Sequence, residues 1–216
     1  MPPCWAITKI LIDEVHLKVN SFAVSFDPQG KDFEYILLFS GALLFLIFYS
    51  RYKFEFLYTF LHEFTHLIFG IIFLKKIVRF KVARLKGEVV LSGTNFVILL
   101  APYFFPLLTF ILLSVGFLLW EFLKYKLIWY LTISLVGFSL MLHIVMTLKS
   151  LMVEQSDIKS NGYFFSFVTI YFLSVSLISG IIIFLLQGYI EALAFFSILL
   201  KEVKSIFLLI PNLLFD

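Results

Sequence analysis

Charged side chains are scarce in this chain of 216 residues, in which Asp, Glu, Lys and Arg together make up 14%. Soluble domains carry about a quarter of such residues. The sequence is instead 62% hydrophobic and 19% aromatic, which is typical of a polytopic membrane protein. The net charge of +3 is small and spread over the loops, so the composition indicates no basic groove for a nucleic acid.

Cysteine is nearly absent too, since Cys4 is the only one. A single thiol excludes an intramolecular disulfide and any zinc site built on cysteine. The first thirty residues lack the basic segment and apolar core of a signal peptide, so we expect the protein to be inserted by its own helices. Residues 1–34 are expected to form a peripheral extension with an interfacial helix over residues 6–19, where His16 is a surface residue.

Long apolar runs predict a membrane-embedded core at residues 35–187. The predicted spans cover residues 35–49, 54–74, 95–120, 127–148 and 163–186, and residues 188–216 form either a sixth span or an amphipathic surface helix. The expected fold is therefore an all-α polytopic membrane protein with five to six transmembrane helices. The distribution of Lys and Arg among the loops favours a cytoplasmic N-terminus. The expected location is the plasma (cytoplasmic) membrane.

Residues 75–93 break the helical pattern. Apolar positions 78, 80 and 82 alternate with Arg79 and Lys81, which indicates a strand, and Lys86-Gly87 is a turn signal. We therefore expect a short β-hairpin-like insertion after the second helix. One interpretation is an edge strand that pairs with an extended substrate, with Phe80 and Val82 as substrate-binding residues. A compatible interpretation is a basic cytoplasmic loop that only fixes the orientation of the chain.

The third predicted span contains two prolines, Pro102 and Pro106. Two prolines four residues apart kink or break a membrane helix, which is tolerated only where neighbours or a cavity satisfy the freed backbone groups. Asn95 stands at the entrance of this span. It is expected to cap the helix, and it is also a candidate donor to an oxygen bound at a metal.

Histidine is scarce as well, yet two of the four histidines belong to the pentapeptide His62-Glu63-Phe64-Thr65-His66 inside the second predicted span. Residues i and i+4 share one face of a helix, so the two imidazoles can bind one zinc ion. Glu63 can then serve as general base toward the metal-bound water. It is the only acidic residue well inside an apolar span, and a charge at that depth marks a functional site.

A structural interpretation competes with the metal site. The two histidines would pack across the helix bundle, with Glu63 as their counter-charge. Gly70 lies one turn after His66, where it either admits a close helix contact or is simply tolerated in a membrane helix.

A catalytic zinc ion needs a third protein ligand. We favour Asp157, because it precedes the fifth span on the same side of the membrane as the end of the second, and Ser156 and Asn161-Gly162 allow its loop to turn inward. Asp157 is alternatively the N-cap of the fifth helix. His143 is an alternative ligand, or a residue that supports a ligand or bonds within the bundle. Glu88 and Glu154 remain further candidates.

The pentapeptide, Gly70, the basic β-like segment, the stretch from Asn95 to Pro106 and Ser156-Asp157 together resemble the site-2-protease family of intramembrane zinc metalloproteases. The resemblance covers roughly residues 55–165 and is closest to the small B-like branch. It implies that His62, His66 and Asp157 bind zinc and that Glu63 is the base. The chain has neither the Leu-Asp-Gly motif of the main family nor a PDZ-like insert.

The sequence thus predicts a zinc metalloendopeptidase that hydrolyses peptide bonds of a membrane protein or membrane peptide within or near the lipid bilayer. The alternative is a non-proteolytic metal-binding membrane protein, either a pseudoprotease or a divalent-metal carrier. A carrier is expected to repeat ionisable residues in several spans, and here they are concentrated in one. A purely structural membrane protein is the third possibility. No oligomeric state follows from the sequence.

Overall fold

The computed structural model describes residues 31–84 and 86–215, and these are mostly helical. The helices are α1 Lys31–Arg51, α2 Glu55–Ile72, α3 Phe96–Phe104, α4 Leu107–Leu123, α5 Lys126–Leu151, α6 Ser156–Asn161, α7 Tyr163–Gln187 and α8 Tyr189–Phe215. Two strands, β1 Ile77–Val82 and β2 Gly87–Leu91, follow α2. The expectations for Cys4, His16 and a helix over residues 6–19 lie outside the described residues. Helix α1 already begins at Lys31, within the expected extension.

Three of the described helices are long and apolar enough to cross a membrane: Asp32–Arg51 within α1, then α5 and α7. The pair α3 and α4, bent by 67°, makes a fourth if it is counted as one span. Helix α2, the expected second span, is not among them, because two glutamates and two histidines lower the mean hydropathy of its 18 residues. Helix α8 is not among them either, since Glu191, Lys201, Glu202 and Lys204 interrupt it. The predicted count of five to six spans is therefore not confirmed.

The described residues divide into two compact units. The core unit, Ile36–Ile170, contains every candidate site residue. The second unit comprises residues 31–35 and 171–215, and in it a Cβ at Gly180 of α7 would overlap the ring of Phe196 of α8. The sequence-based segments 1–34, 35–187 and 188–216 stay a prediction.

The β-hairpin after α2 confirms the expectation for residues 75–93. Strands β1 and β2 are antiparallel, with Phe80 opposite Val89 and Val82 opposite Gly87. The ring of Phe80 packs against those of Phe60 and Phe64 on α2, with centroids 6.5 Å apart in each case. The hairpin thus lies against the face of α2 that carries these two rings.

Contacts at both ends of the hairpin show how far it follows α2. At its turn, Arg84 lies 3.7 Å from Glu55 in the first turn of the helix. At the end of β2, a Cβ on Gly70 would lie 2.8 Å from Leu91 Cδ1. Gly70 therefore admits a close contact with a strand, where the sequence suggested a contact with another helix. The hairpin extends along nearly the whole length of α2.

The helix break expected at the two prolines is confirmed. Pro102 lies inside α3, and Pro106 is the N-cap of α4. Proline has no N–H to donate, so Pro106 cannot continue the hydrogen-bond pattern of α3 into α4. At the other end of α3, Asn95 Oδ1 accepts a hydrogen bond of 2.8 Å from Ile98 N. This is the helix cap expected of Asn95.

Small residues bring the backbones of α1 and α5 into contact. A Cβ at Gly41 would overlap the carbonyl oxygen of Ser134, and a Cβ at Gly137 would overlap that of Leu38. Only glycine permits such an approach between two helices. Near this contact, Phe45 of α1 and Leu142 and Met146 of α5 form a buried cluster, against which Tyr58 and Leu61 of α2 pack. This cluster fixes the face of α2 that carries the histidines.

Candidate metal centre

His62 and His66 lie one turn apart on α2, with ring centroids separated by 4.9 Å. The Nε2 atoms of both rings face the carboxylate of Asp157, which lies in the first turn of α6. Asp157 Oδ2 is 3.7 Å from His62 Nε2 and 3.4 Å from His66 Nε2. One ligand atom from each residue lies within 4.8 Å of the other two. The fold thus brings Asp157 to the pentapeptide across a long stretch of sequence.

The donor atoms of these three residues fit a divalent transition metal. Bonds of about 2.0–2.2 Å in a tetrahedral array place neighbouring ligand atoms roughly 3.4 Å apart. The two separations from Asp157, 3.4 and 3.7 Å, are close to that value, and all three ligand atoms lie within 4.8 Å of one another. Two imidazoles and one carboxylate also leave a fourth position for water. The three side chains can therefore hold a metal ion.

The negative charge at this site is carried by the Asp157 carboxylate, which lies beside two imidazoles. Burial would raise the pKa of Asp157, but the neighbouring imidazoles of His62 and His66 outweigh burial and hold the pKa below its ordinary value. Asp157 is consequently ionised at neutral pH and ready to bind a cation. His66 is buried, with 8% of its surface exposed. Partial burial strengthens the attraction between the carboxylate and a bound metal.

The second ring nitrogen of each histidine also has a partner. His66 Nδ1 lies 2.8 Å from the backbone carbonyl oxygen of Ile98 on α3. His62 Nδ1 lies 3.4 Å from the hydroxyl of Tyr58, one turn earlier on α2. A hydrogen bond at the second nitrogen fixes the orientation and the tautomer of a metal-binding histidine. The two imidazoles are therefore held with Nε2 toward Asp157.

Tyr103 of α3 completes the support of the site. Its hydroxyl donates a 3.2 Å hydrogen bond to Asp157 Oδ2, and its ring meets that of His62 edge to face at 5.2 Å. Its side chain is fully buried. Tyr103 contacts both a histidine and the carboxylate, so it fixes α3 to α2 and α6 at the site.

Glu63 lies next to the helix face that carries the two histidines, and its side chain contacts the hairpin turn. A Cβ on Gly87, the first residue of β2, would overlap Glu63 Cγ and approach its carboxylate. The contact is possible only because Gly87 has no side chain. The carboxylate of Glu63 lies against the turn. Glu63 is only half-buried, so part of its side chain remains accessible.

The other candidate ligands have different contacts. Glu154 pairs with Lys159 at 2.9 Å, and Glu88 lies 3.7 Å from Arg79; all four side chains are exposed. His143 lines a cavity of about 20 Å³ beside His62. Its Nε2 has no hydrogen-bond partner within the part of the chain that the structure describes. Among the described residues, the group that could hold a metal ion consists of the two pentapeptide histidines and Asp157.

Comparison with models of protein families, with curated proteins and with solved structures finds no match to this chain. The arrangement of the site is therefore the basis for a functional conclusion.

Four supporting residues were not identified from the sequence: Tyr58, Gly87, Ile98 and Tyr103. The sequence spacing could have indicated Tyr58, because it stands four residues before His62 and so shares its helix face. It could also have indicated Ile98, because Pro102, four residues later, has no N–H for the Ile98 carbonyl. Nothing in the local sequence indicates that Gly87 meets Glu63 or that Tyr103 meets Asp157, since both contacts join distant segments.

Proposed function

We propose that this protein is an intramembrane zinc metalloprotease, a hydrolase that cleaves peptide bonds within or near the membrane. His62, His66 and Asp157 hold the zinc ion, and Glu63 is the general base. One observation carries the proposal. Among apolar helices, Asp157 Oδ2 lies 3.7 Å from His62 Nε2 and 3.4 Å from His66 Nε2. Two imidazoles and one carboxylate form the ligand set of hydrolytic zinc sites.

A zinc ion held by His62, His66 and Asp157 would acidify water and polarise the scissile carbonyl group. Glu63 accepts a proton from the attacking water as the new C–O bond forms. It then gives that proton to the amine nitrogen as the C–N bond breaks, which regenerates the carboxylate. The contact with Gly87 holds the Glu63 side chain for both transfers.

The substrate is an extended segment of a membrane protein or membrane peptide. It adds as a third strand to the hairpin, whose β1 is the more exposed strand. In this arrangement the backbone at Phe80 and Val82 binds the substrate, while the ring of Phe80 rests on α2. An extended conformation suits hydrolysis, because the scissile carbonyl is then free of helical hydrogen bonds.

The proposed location is the plasma (cytoplasmic) membrane, with a cytoplasmic N-terminus and with α2 as a further span. The hairpin along α2 supports this placement, because it covers part of a helix that carries ionisable side chains. The resemblance to the small B-like branch of the site-2-protease family, carried by the pentapeptide and Ser156-Asp157, agrees with the same function.

The experiment that tests the proposal uses purified protein in liposomes, wild type beside Glu63→Gln and beside His62→Ala/His66→Ala. The probes are a library of fluorogenic single-span peptides and unfolded casein, and metal is measured by elemental analysis. We expect about one zinc per chain in wild type and in Glu63→Gln. Cleavage in Glu63→Gln falls by roughly 10² to 10⁴, because a base is lost and the ligands are kept.

Each other outcome of that experiment has a defined meaning. Full cleavage by Glu63→Gln contradicts the mechanism. Zinc in wild type without cleavage of any probe favours the non-proteolytic alternative, a pseudoprotease or divalent-metal carrier. Absence of zinc from wild type leaves the two histidines as packing residues.

A further inference from the structure

The carbonyl oxygen that holds His66 belongs to a residue whose usual helical partner is missing. In an α-helix the carbonyl of residue i accepts from the N–H of residue i+4. For Ile98 of α3 that residue is Pro102, which has no N–H. Helix α3 nevertheless continues through Pro102 to Phe104. The Ile98 carbonyl is therefore free to accept a hydrogen bond from another element, and Ile98 is only 1% exposed.

His66 supplies that hydrogen bond, with Nδ1 at 2.8 Å from the Ile98 oxygen. A carbonyl oxygen only accepts, so His66 Nδ1 carries the proton. In the neutral ring the lone pair is then on Nε2, which lies 3.4 Å from Asp157 Oδ2. The bond to Ile98 thus determines which nitrogen of His66 is available to a metal ion.

Asn95 fixes the other polar group of Ile98. Its Oδ1 accepts from Ile98 N at 2.8 Å. Both the N–H and the carbonyl of Ile98 are thus bonded to side chains, one at the start of α3 and one on α2. A restrained carbonyl gives His66 a fixed acceptor, which is the arrangement that keeps a metal-binding imidazole in place.

We infer that Pro102 is a positioning residue of the metal centre: by lacking an N–H, it reserves the Ile98 carbonyl for His66 and so fixes His66 with Nε2 toward Asp157. This inference rests on the proposed metal site. Alanine at position 102 would direct a backbone N–H at the Ile98 oxygen, because α3 is helical there. That N–H competes with His66 for the same acceptor and weakens the restraint on the ring.

Cobalt binding to the purified full-length protein in detergent tests the inference. Tetrahedral Co²⁺ is followed by its visible absorption during titration. We expect Pro102→Ala to bind Co²⁺ roughly tenfold more weakly than wild type, at the lower end of the loss for outer-shell partners. Pro106→Ala is the matched control, because it restores an N–H at the bend without reaching Ile98. It is expected to bind within about twofold of wild type.

A second variant separates the missing N–H from the shape of the proline ring. Lactic acid introduced at position 102 by nonsense suppression gives an ester in place of the amide, with the methyl side chain of alanine and no N–H. We expect this ester to restore the cobalt affinity lost in Pro102→Ala. Equal weakness of the ester and the alanine variant overturns the inference, since ring packing would then be the cause.

Nitrogen NMR of the metal-free protein gives a readout independent of metal. The chain has only four histidines, and the His66 signals are assigned by their loss in His66→Gln. At a pH at which the His66 ring is neutral, wild type is expected to show the Nδ1–H tautomer of His66, and Pro102→Ala a mixture of tautomers. If wild type binds no cobalt, the metal centre fails and this inference with it. If wild type binds cobalt and Pro102→Ala matches it in affinity and tautomer, the inference alone fails.

Discussion

Replacing Gly87 by alanine tests whether the hairpin turn holds the general base. The added Cβ would overlap Glu63 Cγ and crowd its carboxylate. One of the two must move, and the Glu63 side chain is the flexible one. The φ of Gly87 is not in the left-handed region, so alanine fits the backbone itself. The cost should therefore appear in catalysis and hardly at all in folding.

The magnitude follows from the size of the displacement. A shift of a reacting group by about 1 Å costs roughly 10²-fold in rate. This corresponds to about 2.7 kcal/mol in the activation barrier. Zinc content should stay at the wild-type level, because Glu63 is not a ligand. The melting temperature should change little, since Gly→Ala at a compatible φ is worth less than about 1 kcal/mol.

The assay is the initial rate of peptide cleavage in liposomes, resolved into kcat and KM, with zinc content measured on the same samples. Gly93→Ala is the matched control. Its Cβ would lie 3.7 Å from Lys75 Nζ, an ordinary contact, so its activity should equal that of wild type. A fall in kcat at unchanged KM supports the reasoning. Wild-type activity in Gly87→Ala, or loss of its zinc, would refute it.

Three further predictions concern the ligands and their supports. Asp157→Ala should weaken zinc binding by more than the roughly 10- to 100-fold typical of outer-shell partners, whereas His143→Ala should weaken it only mildly. Isotope exchange of zinc measures both affinities, and the reverse ranking would make His143 the third ligand. Tyr103→Phe removes one hydrogen bond to Asp157 and should lower zinc affinity roughly tenfold with unchanged helical circular dichroism; wild-type affinity would show that the hydroxyl does not act on the carboxylate. Asn95→Ala removes the cap of α3 and should cost about 1 kcal/mol of stability in thermal unfolding, while a loss of 10²-fold or more in kcat would show instead that Asn95 acts on the reacting oxygen.

Features that depend on neighbouring residues were predictable from the sequence. The spacing of His62 and His66 is enough to place both rings on one helix face. Strand alternation and the Lys86-Gly87 turn signal predicted the hairpin, and the two prolines predicted the break between α3 and α4. Each of these inferences needs only the chemistry of a few consecutive residues.

Features that depend on distant segments were not predictable to the same degree. The charge pattern left Asp157, His143, Glu88 and Glu154 open as third ligands, because a sequence does not state which loop turns inward. The predicted number of spans is not confirmed by hydropathy, because the two histidines and two glutamates of α2 lower the mean hydropathy of that helix. The partner of the freed Ile98 carbonyl belongs to α2, so the sequence indicated that a partner was needed without naming it.

The separation in sequence between the two histidines and Asp157 has a consequence for the behaviour of the whole core unit. A metal ion bound to all three would act as a cross-link that closes the loop of chain between residues 66 and 157. Closing a long loop removes more freedom from the unfolded chain than closing a short one. The unfolded chain cannot present the three ligands together, so the metal would bind the folded state alone. The free energy of metal binding would then add to the free energy of unfolding. The ion proposed for catalysis would thus also stabilise the folded core unit.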